Sequence, residues 1–149
     1  MALSISENSK YVLKVDTGKN RVYLKIIGFW RNVEAVKDYL LDWEKALNLS
    51  KHGFTLLTDA SEMKTHPTSV KELHLQAQNM IIKAGVSKVA EVLKDDIAEM
   101  QLNAVARETQ FPKKNFYSRE EAELWLDEGI ASASHSSALG SLTREEENI

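Results

Sequence analysis

The sequence predicts an α/β sandwich, with a mixed sheet opened by an antiparallel hairpin and helices mainly on one face. Three features carry that prediction. Two alternating apolar runs flank Asp16-Thr17-Gly18-Lys19-Asn20, the apolar period lengthens after Gly28, and Phe54-Thr55-Leu56-Leu57-Thr58-Asp59 is apolar without clean alternation, as a strand covered on both faces is.

Taken in order, Tyr11-Val12-Leu13-Lys14-Val15 reads as the first strand, and residues 21–27 as the second, with Val22, Leu24 and Ile26 on one face. Val33, Val36, Leu40, Trp43 and Leu47 then form the stripe of an amphipathic helix over 33–49, with Asn32 as N-cap. After the strand ending at Asp59, a second helix carries Val70, Leu73, Ala77, Ile81 and Ala84. Ser69 and Glu72 stand at capping-box spacing, and Gly85 closes the helix. Residues 86–93 read as the next strand. A third helix, capped by Asp96 with Glu99, runs to about Arg107 with Ile97, Met100/Gln101, Ala104 and Val105 inward. Asn115-Phe116-Tyr117 is a short strand, and Ser118-Arg119-Glu120-Glu121 a capping box for a last helix that buries Ala122, Trp125 and Leu126. Residues 1–128 form the domain. Residues 129–149, rich in serine and closing on Arg144-Glu145-Glu146-Glu147, read as a disordered acidic tail.

The 149 residues, 43% hydrophobic and 28% charged, suffice to bury a core without staples. The absence of cysteine removes disulfides, thiol nucleophiles and cysteine zinc sites, and points to a reducing, cytoplasmic setting. No apolar run approaches the roughly 20 residues of a transmembrane helix. A net charge of -3 gives no bulk attraction for nucleic acid. The lysines of the hairpin, Lys10, Lys14, Lys19 and Lys25, are read as protection of a strand against edge pairing.

The hairpin, the Gly28-Phe29-Trp30 exit into a helix, the Gly53-Phe54-Thr55-Leu56-Leu57-Thr58-Asp59-Ala60-Ser61 strand and loop, and the closing Ser118-Arg119-Glu120-Glu121-Ala122-Glu123-Leu124-Trp125-Leu126 resemble the SpoIIAA-like family. That family belongs to the STAS superfamily of anti-sigma-factor antagonists, and the resemblance covers about residues 10 to 128. It implies a STAS-like two-layer sandwich and a non-enzymatic regulatory role exerted through protein-protein contacts. Some relatives also look like the lipid-binding fold of CRAL-TRIO proteins, which implies a possible apolar ligand. Antagonists of this kind are switched by phosphorylation at the start of the helix after the third strand. Asp59-Ala60-Ser61 matches the Asp-x-Ser that precedes the switch. His66-Pro67-Thr68-Ser69-Val70 stands where the family carries Asp-Ser-Ser/Thr-Gly, which places Thr68 and Ser69 near the switch position.

From the residues themselves, ligands of open α/β sheets lie beyond the carboxyl ends of parallel strands. That gathers Asp59, Ser61 and Glu62 after one strand, Lys94, Asp95 and Asp96 after the next, and Thr68 and Ser69 at a helix N-terminus suited to an anion. The bland alternative is that Ser69 caps its helix and Asp59 ends its strand. Asp59 and His66 with Ser61 or Ser69 supply the residue types of a hydrolytic triad, but without a Gly-x-Ser-x-Gly elbow. No catalytic residue, cofactor or metal ligand is therefore assigned. Trp30, leaving a strand toward solvent, is expected at the lip of a pocket or interface. The weakly charged outer face of the second helix, with Gln76, Gln78, Asn79 and Met80, is expected to form a homodimer contact. The function predicted is a regulatory interaction module acting on a protein partner or on itself as a homodimer. The alternative is a carrier of a small apolar or lipid-like ligand in a cavity between helices 33–49 and 69–84, and a small hydrolase stands behind both.

Overall fold

The computed structural model describes residues 2–128; the expected tail lies outside them. Six strands form one sheet in sequential order: β1 (Ala2–Glu7), β2 (Tyr11–Asp16), β3 (Arg21–Gly28), β4 (Thr55–Met63), β5 (Lys88–Val92) and β6 (Lys113–Phe116). The first two pairings are antiparallel and the last three parallel, so the predicted mixed sheet is present, with β2 and β3 as its hairpin. The sequence reading missed β1, although Leu3-Ser4-Ile5-Ser6 alternates as an exposed edge strand does.

The helix predicted over 33–49 is two pieces, a 3-10 turn at Val33–Val36 and α1 (Tyr39–Asn48). Asn32 caps the turn as predicted, its side chain accepting from the Ala35 N–H at 3.0 Å. α2 (Thr68–Lys83) and α3 (Asp96–Thr109) follow their strands, and a last helix, α4, occupies residues 119–128. The predicted cap positions shift by two residues at α2, from Ser69 to Pro67, and by one at α3. α2 begins at Thr68 after an extended Pro67, so Ser69 lies inside its first turn and is no cap. α3 is capped by Asp95, whose carboxylate accepts from the Ile97 and Ala98 N–H groups, and not by Asp96. Ser118 caps α4 as predicted, accepting from the Glu121 N–H at 3.1 Å.

The strand predicted to end at Asp59 runs on to Met63. Lys25 pairs with Asp59 and Ile27 with Glu62, so β4 spends three residues where β3 spends two, a bulge at Ala60-Ser61. The Asp59 carboxylate holds that bulge by accepting from the Ser61 N–H at 3.0 Å and the Ser61 hydroxyl at 2.6 Å.

Two apolar layers flank the sheet. On one side α1, α2 and α3 bury Trp30, Trp43, Leu24, Ile26, Leu56 and their neighbours in the main core. On the other, alternate positions of the same strands, Leu57, Ala90 and Val92, pack against Ala122 and Leu126 of α4. This double covering is why β4 reads as an unbroken apolar run. Arg21, fully buried, ties α4 down: its Nε donates to Thr55 Oγ1 at 2.9 Å, and its Nη1 donates to Glu123 at 2.5 Å and Asp127 at 2.9 Å. The inward face of α3 differs from prediction. Ala98, Leu102, Val105 and Ala106 are buried, while Ile97 and Met100 are 49% and 63% exposed.

Candidate functional site

The carboxyl ends of β3 and β4 and the start of α2 meet at a pair of buried histidines. His66 sits in the loop after β4, and His74 on the buried face of α2, eight residues on. His66 Nε2 lies 3.1 Å from the Gly28 carbonyl oxygen, which only accepts, so this nitrogen carries the proton. His66 Nδ1 is then the acceptor for the His74 Nε2–H at 3.1 Å. The two rings lie within 8° of parallel with centroids 5.3 Å apart, which fits an in-line hydrogen bond between rings set edge to edge. Both lie over the indole of Trp30, at 4.9 and 5.2 Å between centroids.

Burial disfavours the charged form of each ring. His66 is held below the usual imidazole range, with the Gly28 carbonyl partly opposing that shift. His74 is pushed down to about 3, by burial first and by its histidine neighbour second. Both are neutral at physiological pH, and the bond between them requires a neutral His66, whose Nδ1 must keep its lone pair to accept from His74. Gln101 of α3 fastens the loop from the far side: its Oε1 accepts from the His66 backbone N–H at 3.0 Å, and its Nε2 donates to the His66 carbonyl at 2.9 Å.

Above the histidines, between α2 and α3, opens a cavity of about 240 Å³. Met63, Leu102, Ala104 and Val105 make its apolar wall, His66 and His74 line it, and Thr68, Lys71 and Met100 reach its mouth. It is not the cavity predicted between helices 33–49 and 69–84.

The predicted site residues do not converge. Asp59 shares the α4 side of the sheet with Leu57, where it lines an open groove of about 500 Å³ with Lys25, Arg119 and Glu123. His66 and Thr68 line the cavity on the helical side. Glu62 is exposed and pairs with Lys25 at 2.8 Å. The hydrolytic triad is therefore not assembled: Asp59 serves Ser61, and both ring nitrogens of His66 are engaged elsewhere. Trp30 forms no exposed lip. It is wholly buried, its Nε1–H donating to the Lys10 carbonyl at 2.9 Å. On α2, Gln78 is turned inward, accepting from the Thr109 hydroxyl at 2.6 Å, so the outer face holds less of the expected dimer patch. Of the predicted site residues, Thr68 and His66 stand in the cavity lining, and Ser69 beside Thr68 is exposed. Sequence reading missed His74, Gln101 and Met100, which no local motif connects to Thr68.

Among solved structures, the chain resembles an uncharacterized protein of the DUF3478 family with a SpoIIAA-like fold from Shewanella loihica PV-4. The two share 15% identity over 81% of this chain and 97% of that one, with a TM-score of 0.57. The chain has a SpoIIAA-like fold. SiaC of Pseudomonas aeruginosa matches at 16% identity over 78% of this chain and 99% of that one, TM-score 0.51. Apo-SiaC from the same organism matches at 15% identity over 77% and 98%, TM-score 0.52. No protein-family model and no curated protein matches the sequence. Among the described residues no helix is long and apolar enough to cross a membrane.

Proposed function

We propose that the protein is a cytoplasmic, non-catalytic regulatory module that binds a protein partner at the edge where β3, β4 and β5 end. The observation that supports this most is the distribution of exposed apolar side chains. Phe29 and Val33 follow the end of β3 and are 49% and 42% exposed, and Ile97 and Met100 of α3 follow the end of β5. All four belong to segments that leave the same edge as the cavity mouth. Clustered exposed apolar residues of this kind mark contact surfaces. Asp59, Ser61 and Glu62 face the other side of the sheet, so Thr68 is the better candidate for a switch. A phosphate there lies at a helix N-terminus, where charge is tolerated, yet it brings charge to an apolar contact.

Photo-crosslinking in the native host tests the reading. A benzophenone side chain at Phe29 or Met100 is expected to give one discrete adduct, and the same group at Leu49, exposed at the opposite end of α1, none. Thr68→Glu is expected to reduce the adduct at least tenfold while leaving the thermal midpoint unchanged. Equal adducts at all three positions, or none at any, would remove the proposal.

Self-association belongs to the same reading, and β1 is the surface that supports it. Ala2 to Ser6 contain no charged residue and no proline, and Leu3 is 49% exposed, whereas the other edge, β6, is four residues long and starts Lys113-Lys114. Unprotected edges pair, and an antiparallel pairing of two β1 strands is its own two-fold partner. Native mass spectrometry is expected to show a dimer that Leu3→Lys converts to a folded monomer. A monomeric wild type would end this part of the proposal. The carrier alternative rests on the apolar cavity wall, but about 240 Å³ lies below the roughly 300–1,000 Å³ of ordinary small-molecule sites. Organic extraction of purified protein tests it directly.

A further inference from the structure

We propose that Met100 is a reversible oxidation site, at which a peroxide converts the thioether to the sulfoxide and so releases the protein's partner. The release rests on the interaction reading above, whereas the oxidation stands on this chain's own chemistry. The chain has no cysteine, so the thiolate that usually meets a peroxide first is missing and thioethers are the sulfur nucleophiles that remain. Of its four methionines, three lie among the described residues, and the fold gives them unequal access. Met63, 1% exposed, closes β4 inside the main core, and Met80 of α2 is partly buried against that core. Met100 is 63% exposed.

Its place follows from the phase of α3. The helix buries Ala98, Leu102, Val105 and Ala106, which turns Ile97 and Met100, three residues apart, outward together. Met100 thus belongs both to the exposed apolar cluster and to the mouth of the cavity.

The oxidation needs no catalytic group from the chain. A lone pair of the Met100 sulfur attacks one oxygen of the peroxide, the S–O bond forms and the O–O bond breaks. With hydrogen peroxide, the departing hydroxide takes the proton left on the transferred oxygen and leaves as water, so sulfur loses two electrons and the peroxide gains two. The product is a polar, chiral side chain where an apolar one stood. In the free protein the new oxygen is hydrated. Under a partner it loses that water, and a polar group set unpaired in an apolar contact is costly. Because Met100 faces outward, the change reaches the contact surface and spares the core. The same exposure leaves the sulfoxide open to the two methionine sulfoxide reductases, one for each epimer, which makes the oxidation reversible.

The test uses the purified full chain with benzophenone at Phe29. It is treated with hydrogen peroxide, freed of it by catalase and irradiated in extract of the native host, so that the partner never meets the oxidant. Peptide mass spectrometry is expected to show Met100 sulfoxide forming roughly tenfold faster than the sulfoxides of Met63 and Met80. The discrete adduct should fall by about the same factor, with the thermal midpoint unmoved, and return after treatment with both reductases. Met100→Leu keeps the apolar surface without the sulfur, so its adduct should persist and ignore peroxide. Met100→Gln puts a polar group in place and should lose the adduct with no peroxide added. Leucine and glutamine are both good helix formers, so neither variant disturbs α3. Equal oxidation rates at the three methionines would overturn the site. An adduct that survives oxidation of Met100, or that peroxide removes from Met100→Leu as well, would overturn the release while the interaction module stands. No adduct even before oxidation removes the module, and the release with it.

Discussion

Trp30→Ala is expected to cost about 3–5 kcal/mol, the range for deleting a buried large aromatic side chain. Against a total stability of roughly 5–15 kcal/mol for a domain of ordinary size, that brings the variant to the edge of unfolding at 37 °C. The indole is fully buried and is the piece on which several others rest: Tyr39 meets it edge-on at 5.0 Å, Tyr11 at 5.9 Å, and the histidine pair lies across its face. Removing it leaves a cavity beneath His66 and His74 and takes one of two donors from the Lys10 carbonyl, which keeps the Ile27 N–H at 2.9 Å. Trp30→Phe keeps most of the ring contact and loses the hydrogen bond, for which about 1–2 kcal/mol is expected. Urea unfolding at pH 7.5 measures both. A loss under 1 kcal/mol for Trp30→Ala would show that the histidine pair does not depend on the indole.

That Trp30 belongs to the core and not to a lip was not legible in the sequence. A tryptophan just after a strand carries the same local signal whether it turns outward or inward, and here the turn is decided by His66 and His74, thirty-six and forty-four positions away. The hairpin, β4 and the buried face of α2 were legible, because period and burial coincide there: Val70, Leu73, Ala77 and Ile81 are all buried. The phase of α3 was not. Its packing face is built partly on Ala98 and Ala106, which give little hydrophobic contrast, while the larger Ile97 and Met100 face solvent. The separation of Asp59 from His66 was present in the alternation of β4, since Asp59 shares its side with Leu57. Asp59 is not the end of the strand, because a bulge carries β4 on to Met63. The candidate site was half legible: Thr68 by its place at the start of a helix after a parallel strand, its neighbours His74, Gln101 and Met100 only through the fold.

Acidification is expected to weaken the protein well before its carboxylates titrate. In the unfolded chain a histidine protonates near pH 6.5, whereas in the fold both buried rings resist it, His74 down to about 3. Below about pH 6.5 the unfolded state therefore binds protons that the native state refuses. The stability due to these rings is complete above that pH and falls as the pH drops, by about 1.4 kcal/mol per pH unit for each fully shifted histidine. By pH 5, where most carboxylates are still ionised, His74 alone accounts for a loss of roughly 2 kcal/mol, and His66 acts in the same direction. The structural reason is local. Protonating His66 sets two N–H groups against each other across 3.1 Å, and protonating His74 charges a buried ring, in a site with no carboxylate among the hydrogen-bond partners of either ring. Urea midpoints at pH 7.5, 6 and 5 read the loss, and His74→Gln, which can still offer an N–H to His66 Nδ1, should remove the part that belongs to His74. Stability that stays flat from pH 7.5 to 5 would mean that the rings accept protons in the fold. Because the same rings floor the cavity, protection of the His66 and Thr68 amides should fall in the same pH range, with β2 and β3 still protected.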